Sequence, residues 1–126
     1  MMDNNIFSVK LPLTGEYLTT VRLTVGGLCL IADFDVDSTE DFKVCVTESL
    51  LILKRNGFIG ARIDFTVGET LAAKICGVGD VTVEEDNPEN EISYALLEAL
   101  LGDSLKVTRI ASDSLCSKAI ELSFEG

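Results

Sequence analysis

The segment between Ser38 and Gly57 constrains this chain more than any other. Phe42, Cys45, Val46, Ser49, Leu50 and Leu53 recur at spacings of three and four, which is the pattern of a helix with one apolar face. Ser38 stands where an N-cap belongs, and Glu40 and Asp41 put negative charge at the positive end of the helix dipole. Lys54 and Arg55 complement the other end, and Asn56-Gly57 offers a left-handed stop. Both ends and the face agree, so the spacing predicts a helix over residues 39–55. A helix with one apolar face must bury it against another layer, and the rest of the chain has to supply that layer.

Strand patterns supply it. Residues 4–11 alternate Ile6, Ser8 and Lys10 against Phe7, Val9 and Leu11, and Pro12 blocks further extension because it has no N–H for a ladder. Ile63, Phe65 and Val67 alternate with Arg62, Asp64 and Thr66, giving strands over 58–67 and 70–78 joined by a hairpin at Gly68-Glu69. Two further strands are predicted over 104–111 and 116–124. Residues 14–31 are mixed. Leu18, Val21, Val25, Leu28 and Cys29 follow helical spacing after a possible N-cap at Thr14, while the threonines and Gly26-Gly27 oppose a helix. The length favours helix, with the paired glycines allowing close approach of another element. Asn87 and Pro88 read as the N-cap and first residue of a last helix, with Ile92, Ala95, Leu96, Ala99 and Leu100 as its buried face and Gly102 as its stop. The order β-α-α-β-β-α-β-β predicts an α+β fold. It is a two-layer α/β sandwich, with three helices on one face of a mixed, mostly antiparallel five-stranded sheet.

Composition limits what such a domain does. At 126 residues the chain is one domain, 1–126, long enough to fold without disulfides or metals. It is 47% hydrophobic and carries a net charge of −11, which argues against binding nucleic acid backbones or anionic membranes. It contains no histidine, which removes Ser-His-Asp and Cys-His catalysis and His-ligated zinc. The four cysteines form no CxxC pair, and each lies in an apolar stretch, as reduced core thiols would. With no signal peptide pattern and no apolar run near ~20 residues, the expected location is cytoplasmic.

Few constellations carry chemistry. Asp33, Asp35 and Asp37 imitate a calcium loop, but Ser38 and Val44 stand where the glycine and the bidentate glutamate belong. Gly77-Val78-Gly79 follows a strand but lacks a third glycine and a helix start, so it reads as a turn. The acidic run at 80–91 reads first as a solvated loop, with Mg²⁺ or a basic partner as the alternatives. Glu98 belongs on the polar face of the last helix. Glu48 lies within the helix at 39–55, where an ordinary surface glutamate is the simplest account.

Val21-Arg22, Asp41-Phe42-Lys43 and Val46-Thr47-Glu48 stand in an order that resembles the anti-sigma factor serine kinases, members of the histidine-kinase-like (GHKL, Bergerat) ATPase fold. That family places Val-Arg near the start of one helix and an acidic loop next. A second helix then reads D-[IL]-K-x-x-V-[ST]-E-x-x-x-N. The resemblance covers nearly the whole chain, and the segment around Glu48 is its most specific part. It implies that Glu48 matches the general base for an attacking serine. The departures are substantial. The Mg²⁺-binding Asn position is Ile52, the adenine-binding Asp position is Gly77, and the phosphate-binding glycine turn is Glu91-Ile92-Ser93-Tyr94. The lid loop shrinks to residues 81–89. The resemblance therefore implies a degenerate member acting through protein–protein contact in bacterial transcription control. It would bind a sigma factor or an anti-sigma antagonist, with no nucleic acid, no membrane and no cofactor. Glu48 would be vestigial, with no catalytic, cofactor-binding or metal residues beside it. The alternatives are a divergent serine kinase that keeps ATP and Mg²⁺, and a homo-oligomeric adaptor. The apolar content favours a homodimer.

Overall fold

The computed structural model describes residues 5–79, 88–111 and 118–126. Along the chain these form β1 (Asn5–Pro12), α1 (Gly15–Ile31), α2 (Val36–Arg55), β2 (Gly60–Val67) and β3 (Leu71–Val78). There follow α3 (Pro88–Leu101), a 3₁₀ turn at Gly102–Ser104, β4 (Lys106–Ala111) and β5 (Lys118–Glu125). The strands order as β1-β2-β3-β5-β4. All four pairings are antiparallel, the limiting case of the mostly antiparallel sheet expected. The chain leaves β3 through α3 to reach β4 at the far edge, and β5 then fills the space between them.

The alternation in each strand sorts the sheet into two faces. Val9, Ile63, Ile75, Leu122 and Val107 form one cross-strand row, and Phe65, Ala73 and Phe124 the next. Except for Val9 and Val107 at the two edges, these residues are buried. The helices cover this face. α2 packs onto β2 and β3 and is flanked by α1 on one side and α3 on the other. Its buried residues, from Phe42 through Leu53, include every position of the expected apolar face and add Ile52.

The three aspartates at 33, 35 and 37 build the joint between α1 and α2. Asp33 takes the left-handed conformation (φ 61°) that ends α1. Its N–H reaches the Leu30 carbonyl and that of Phe34 reaches Cys29, a Schellman closure. Asp35 is the N-cap of α2, accepting the Ser38 N–H at 2.7 Å, and Asp37 lies in the first turn. The helix therefore starts three residues earlier than expected. The cap is Asp35 rather than Ser38, because the aspartate oxygen reaches the third amide of the turn. The other end matches expectation, with Gly57 at φ 97° and Phe58 N–H bonded to the Leu53 carbonyl.

Three other expectations change. The β2–β3 connection is three residues, because Gly68 N–H bonds the Thr70 carbonyl and Val67 pairs with Leu71. Gly77 and Val78 are not a turn. They pair with Ala61 and Gly60 in the ladder, and only Gly79 leaves it, with φ 121°. A Cβ on Gly77 would sit 2.6 Å from the Phe58 ring, so glycine here makes room for an aromatic side chain. On α3 the buried residues are Ser93 and Leu97, and the face expected inside is turned out. Ile92 is exposed because α3 turns Ser93 and Leu97 inward, with Tyr94 and Leu101 packed against the core beside them.

The last N-cap, Asn87, the acidic residues Asp80, Glu84, Glu85 and Asp86, and Cys116 lie outside the described residues. Among the described thiols, Cys29 and Cys45 are buried as expected. Cys76 instead points to the uncovered sheet face, its thiol 3.4 Å from Glu121. No described helix is long and apolar enough to cross a membrane.

Candidate functional site

The residues singled out by sequence converge only in part. Glu48 lies on the side of α2 that faces α3. The Ser93 hydroxyl donates to its Oε1 at 2.8 Å and accepts from the Arg55 guanidinium at 2.8 Å. The same guanidinium reaches Asn90 Oδ1 at 3.3 Å and the Glu89 carbonyl at 3.2 Å, and its Nε pairs with the Glu89 carboxylate at 3.3 Å. Glu48 and Arg55 are seven residues apart, two turns of one helix, so both face the same neighbour. Ser93 is buried and comes from α3, which packs against α2. Each member of the chain of bonds is satisfied by the next. Such a network in a partly buried setting fixes two helices against each other.

The other positions that the family resemblance implicates are divided between the core, the sheet and the surface. Ile52 is fully buried in the core and has no oxygen to offer a metal. Gly77 faces the Phe58 ring. Glu91 and Ile92 are exposed on α3, and Ser93 is committed to Glu48. Glu98 is exposed on α3, as expected. Among the described residues no three His, Cys, Asp or Glu side chains come together in a way that could hold a metal ion. Among the described residues, two surface depressions lie elsewhere. One of ≈ 230 Å³ on the uncovered sheet face includes Asp64, Lys74 and Lys106. One of ≈ 210 Å³ lies between Phe34, Phe42, Cys45 and Leu100. Both are smaller than the roughly 300 Å³ at which small-molecule pockets begin.

Among the described thiols, Cys45 and Cys76 are unsuited to nucleophilic work. Burial pushes Cys45 up to about 12, with Asp41 adding in the same direction. Burial, then the hydrogen bond and charge of Glu121, push Cys76 up to about 11. A thiol is reactive as thiolate, and neither forms it near neutral pH.

In the sequence Arg55 reads only as a complement to the helix dipole, and Ser93 falls in the degenerate phosphate turn that the resemblance implies. The seven-residue spacing from Glu48 to Arg55 was the available signal, since it puts an acid and a base on one helix face. Nothing in the sequence announced Ser93 as their bridge.

The arrangement is an α/β sandwich whose helix-to-helix gap is filled by protein side chains. No protein-family model matches the chain, and no curated protein matches it either. Among solved structures, a chain of the SiaB-SiaC complex from Pseudomonas aeruginosa is similar, with a TM-score of 0.70 over 95% of this chain and 89% of that one. Sequence identity is 7%, so the likeness is one of fold.

Proposed function

We propose that this protein is a bacterial regulator that acts by binding other proteins in the manner of an anti-sigma factor, without nucleotide and without kinase activity. One observation carries the reading. The space between α2 and α3, where a relative of the serine kinases would hold Mg²⁺-ATP, is bridged by Glu48, Ser93 and Arg55. The side chains present do not fit the nucleotide, since Ile52, Gly77 and the first turns of α3 offer neither metal oxygens, an adenine acceptor nor a glycine cradle. Glu48, as acceptor of a buried hydroxyl, is structural. That the similar chain comes from a complex of two proteins also supports partner binding. Calorimetric titration of Mg²⁺-ATP tests this, and no saturable heat is expected. Binding in the micromolar range overturns it and restores the kinase. Recovery of a sigma factor or its antagonist on purification from the native host separates regulation from an adaptor role.

The reading includes a homodimer. On α1, Leu23, Gly27, Leu30 and Ile31 share the outward face, with Leu23 74% and Leu30 79% exposed. No charged residue occurs between Leu23 and Ala32. Lys43 passes 3.2 Å from a Cβ on Gly26, whereas one on Gly27 meets nothing. A helix-weakening glycine in open space is a notch between large side chains. Leu23 and Ile31 lie four residues to either side of it, so two antiparallel copies crossing at Gly27 set Leu23 against Ile31. Analytical ultracentrifugation is expected to give a dimer that Leu23→Glu dissociates. A monomeric wild type at micromolar concentration removes the homodimer.

A further inference from the structure

The apolar pattern of α3 and its packing point in opposite directions. Leu97 is fully buried with Ser93 beside it, while Ile92 is 70% exposed and Leu96 and Leu100 are each 38% exposed. Ala95 and Ala99 are exposed as well, and the five recur at three and four as one stripe. Glu91 and Glu98, also exposed and seven residues apart, run along one edge of that stripe. Pro88–Leu101 contains no Lys or Arg, and Asp103 adds a carboxylate just beyond. Glu89 pairs with Arg55, but among the described residues Glu91 and Glu98 have no cationic partner. An apolar surface rimmed by one sign of charge has a complement of definite chemistry.

We propose that the outward face of α3 docks a basic amphipathic helix of a partner protein. Its apolar side chains would lie over the shallow Ala95–Ala99 stretch between Ile92, Leu96 and Leu100. Its Lys or Arg residues would meet Glu91 and Glu98. The inference rests on the reading of this chain as a protein-binding regulator and gives that partner a chemistry. Two other occupants have the wrong charge. A second copy of α3 would set carboxylates against carboxylates. The adjoining segment 80–87 carries Asp80, Glu84, Glu85 and Asp86 and no base.

The probe is a synthetic amphipathic helix of Leu and Lys, compared with one in which Glu replaces every Lys. Binding to the full chain is read by fluorescence anisotropy and located by amide chemical shifts. The Lys peptide is expected to bind, with shifts centred on residues 91–100 and affinity falling as salt rises. Ile92→Asp is expected to weaken it about tenfold or more, because the side chain is an exposed anchor and not part of the core. Glu91→Lys with Glu98→Lys is expected to weaken it about tenfold and to favour the Glu peptide instead. Glu40→Lys with Glu69→Lys changes net charge equally on other exposed positions, and should shift affinity by less than about twofold. Unfolding midpoints of all variants serve as the folding control, with Glu98→Lys alone as the mildest substitution. Equal binding of the two peptides, shifts centred elsewhere, equal loss in the control pair, or no effect of Ile92→Asp each overturns the proposal. A native partner retained equally by wild type and by Ile92→Asp/Leu96→Asp overturns α3 docking but leaves the protein-binding reading intact.

Discussion

Ser93 is the side chain on which the α2–α3 joint turns. Its hydroxyl is both donor to Glu48 and acceptor from Arg55, so Ser93→Ala takes the hydroxyl donor from the Glu48 carboxylate and leaves Arg55 only its Glu89 and Asn90 contacts. The expected loss is about 1–3 kcal/mol in urea unfolding. Glu48→Gln keeps an oxygen for the Ser93 hydroxyl and is expected to cost less than Glu48→Ala. A pH effect belongs to this scale too. The Ser38 N–H holds the Asp35 carboxyl below its ordinary range, and the Ser8 hydroxyl, 2.6 Å away, does so for Asp64 with help from Arg62. Both groups bind protons more weakly folded than unfolded. Their contribution is therefore complete above the unfolded carboxylate range near about 4, and is lost as pH falls through the lowered folded values. Asp35→Asn and Asp64→Asn should each flatten the acid limb of a stability–pH profile relative to wild type. Of this site only Glu48 was legible in the sequence. Residue type marked it, but its role depends on a serine 45 positions away, and no local pattern encodes that neighbour.

Among the elements, α2 was the most legible because caps, dipole charges and periodicity all agree. Its start shifted because two cap-forming residues, Asp35 and Ser38, compete within one turn and the aspartate wins. α1 emerged as a helix despite its threonines. Thr19, Thr20 and Thr24 bond back to carbonyls four residues earlier, which satisfies their hydroxyls without leaving the helix. The sequence marks α3 but not its inward side, which carries Ser93 and Leu97. Periodicity reports an apolar face and does not say whether that face meets the core or another molecule. The stability of α3 variants exposes the difference. Leu97→Ala, at a fully buried position, is expected to cost about 2–5 kcal/mol, and Ile92→Ala well under about 1 kcal/mol. Had the sequence pattern marked the core, the two values would be reversed.

At the scale of the molecule, the strand pairing gathers charged side chains of both signs on the uncovered sheet face. The uncovered sheet face carries Lys10, Arg62, Lys74 and Lys106 alongside Asp64 and Glu121, in register across the strands. Arg62–Asp64 and Lys74–Glu121 contacts balance part of it. The helical layer instead presents the uncharged face of α1 and the acidic, apolar face of α3. A net charge of −11 therefore says little about any one surface.

The position of β5 between β3 and β4 also governs how the chain reaches this state. β4 is tied into the sheet through β5, and Ala72 must find Glu125 across more than fifty residues of chain. The ladder cannot close until the whole of β5 has been synthesised, so co-translational folding halts at a sheet edge formed by β3. Refolding is expected to be slow for a domain this small, in the millisecond-to-second range of chains dominated by distant pairings, and stopped-flow fluorescence of a labelled chain measures it. A chain ending before Lys118 is expected to show no cooperative unfolding by circular dichroism. Until those last residues arrive, the bare edge of β3 and its apolar neighbours are open to any other strand, which makes the nascent chain a client for chaperones.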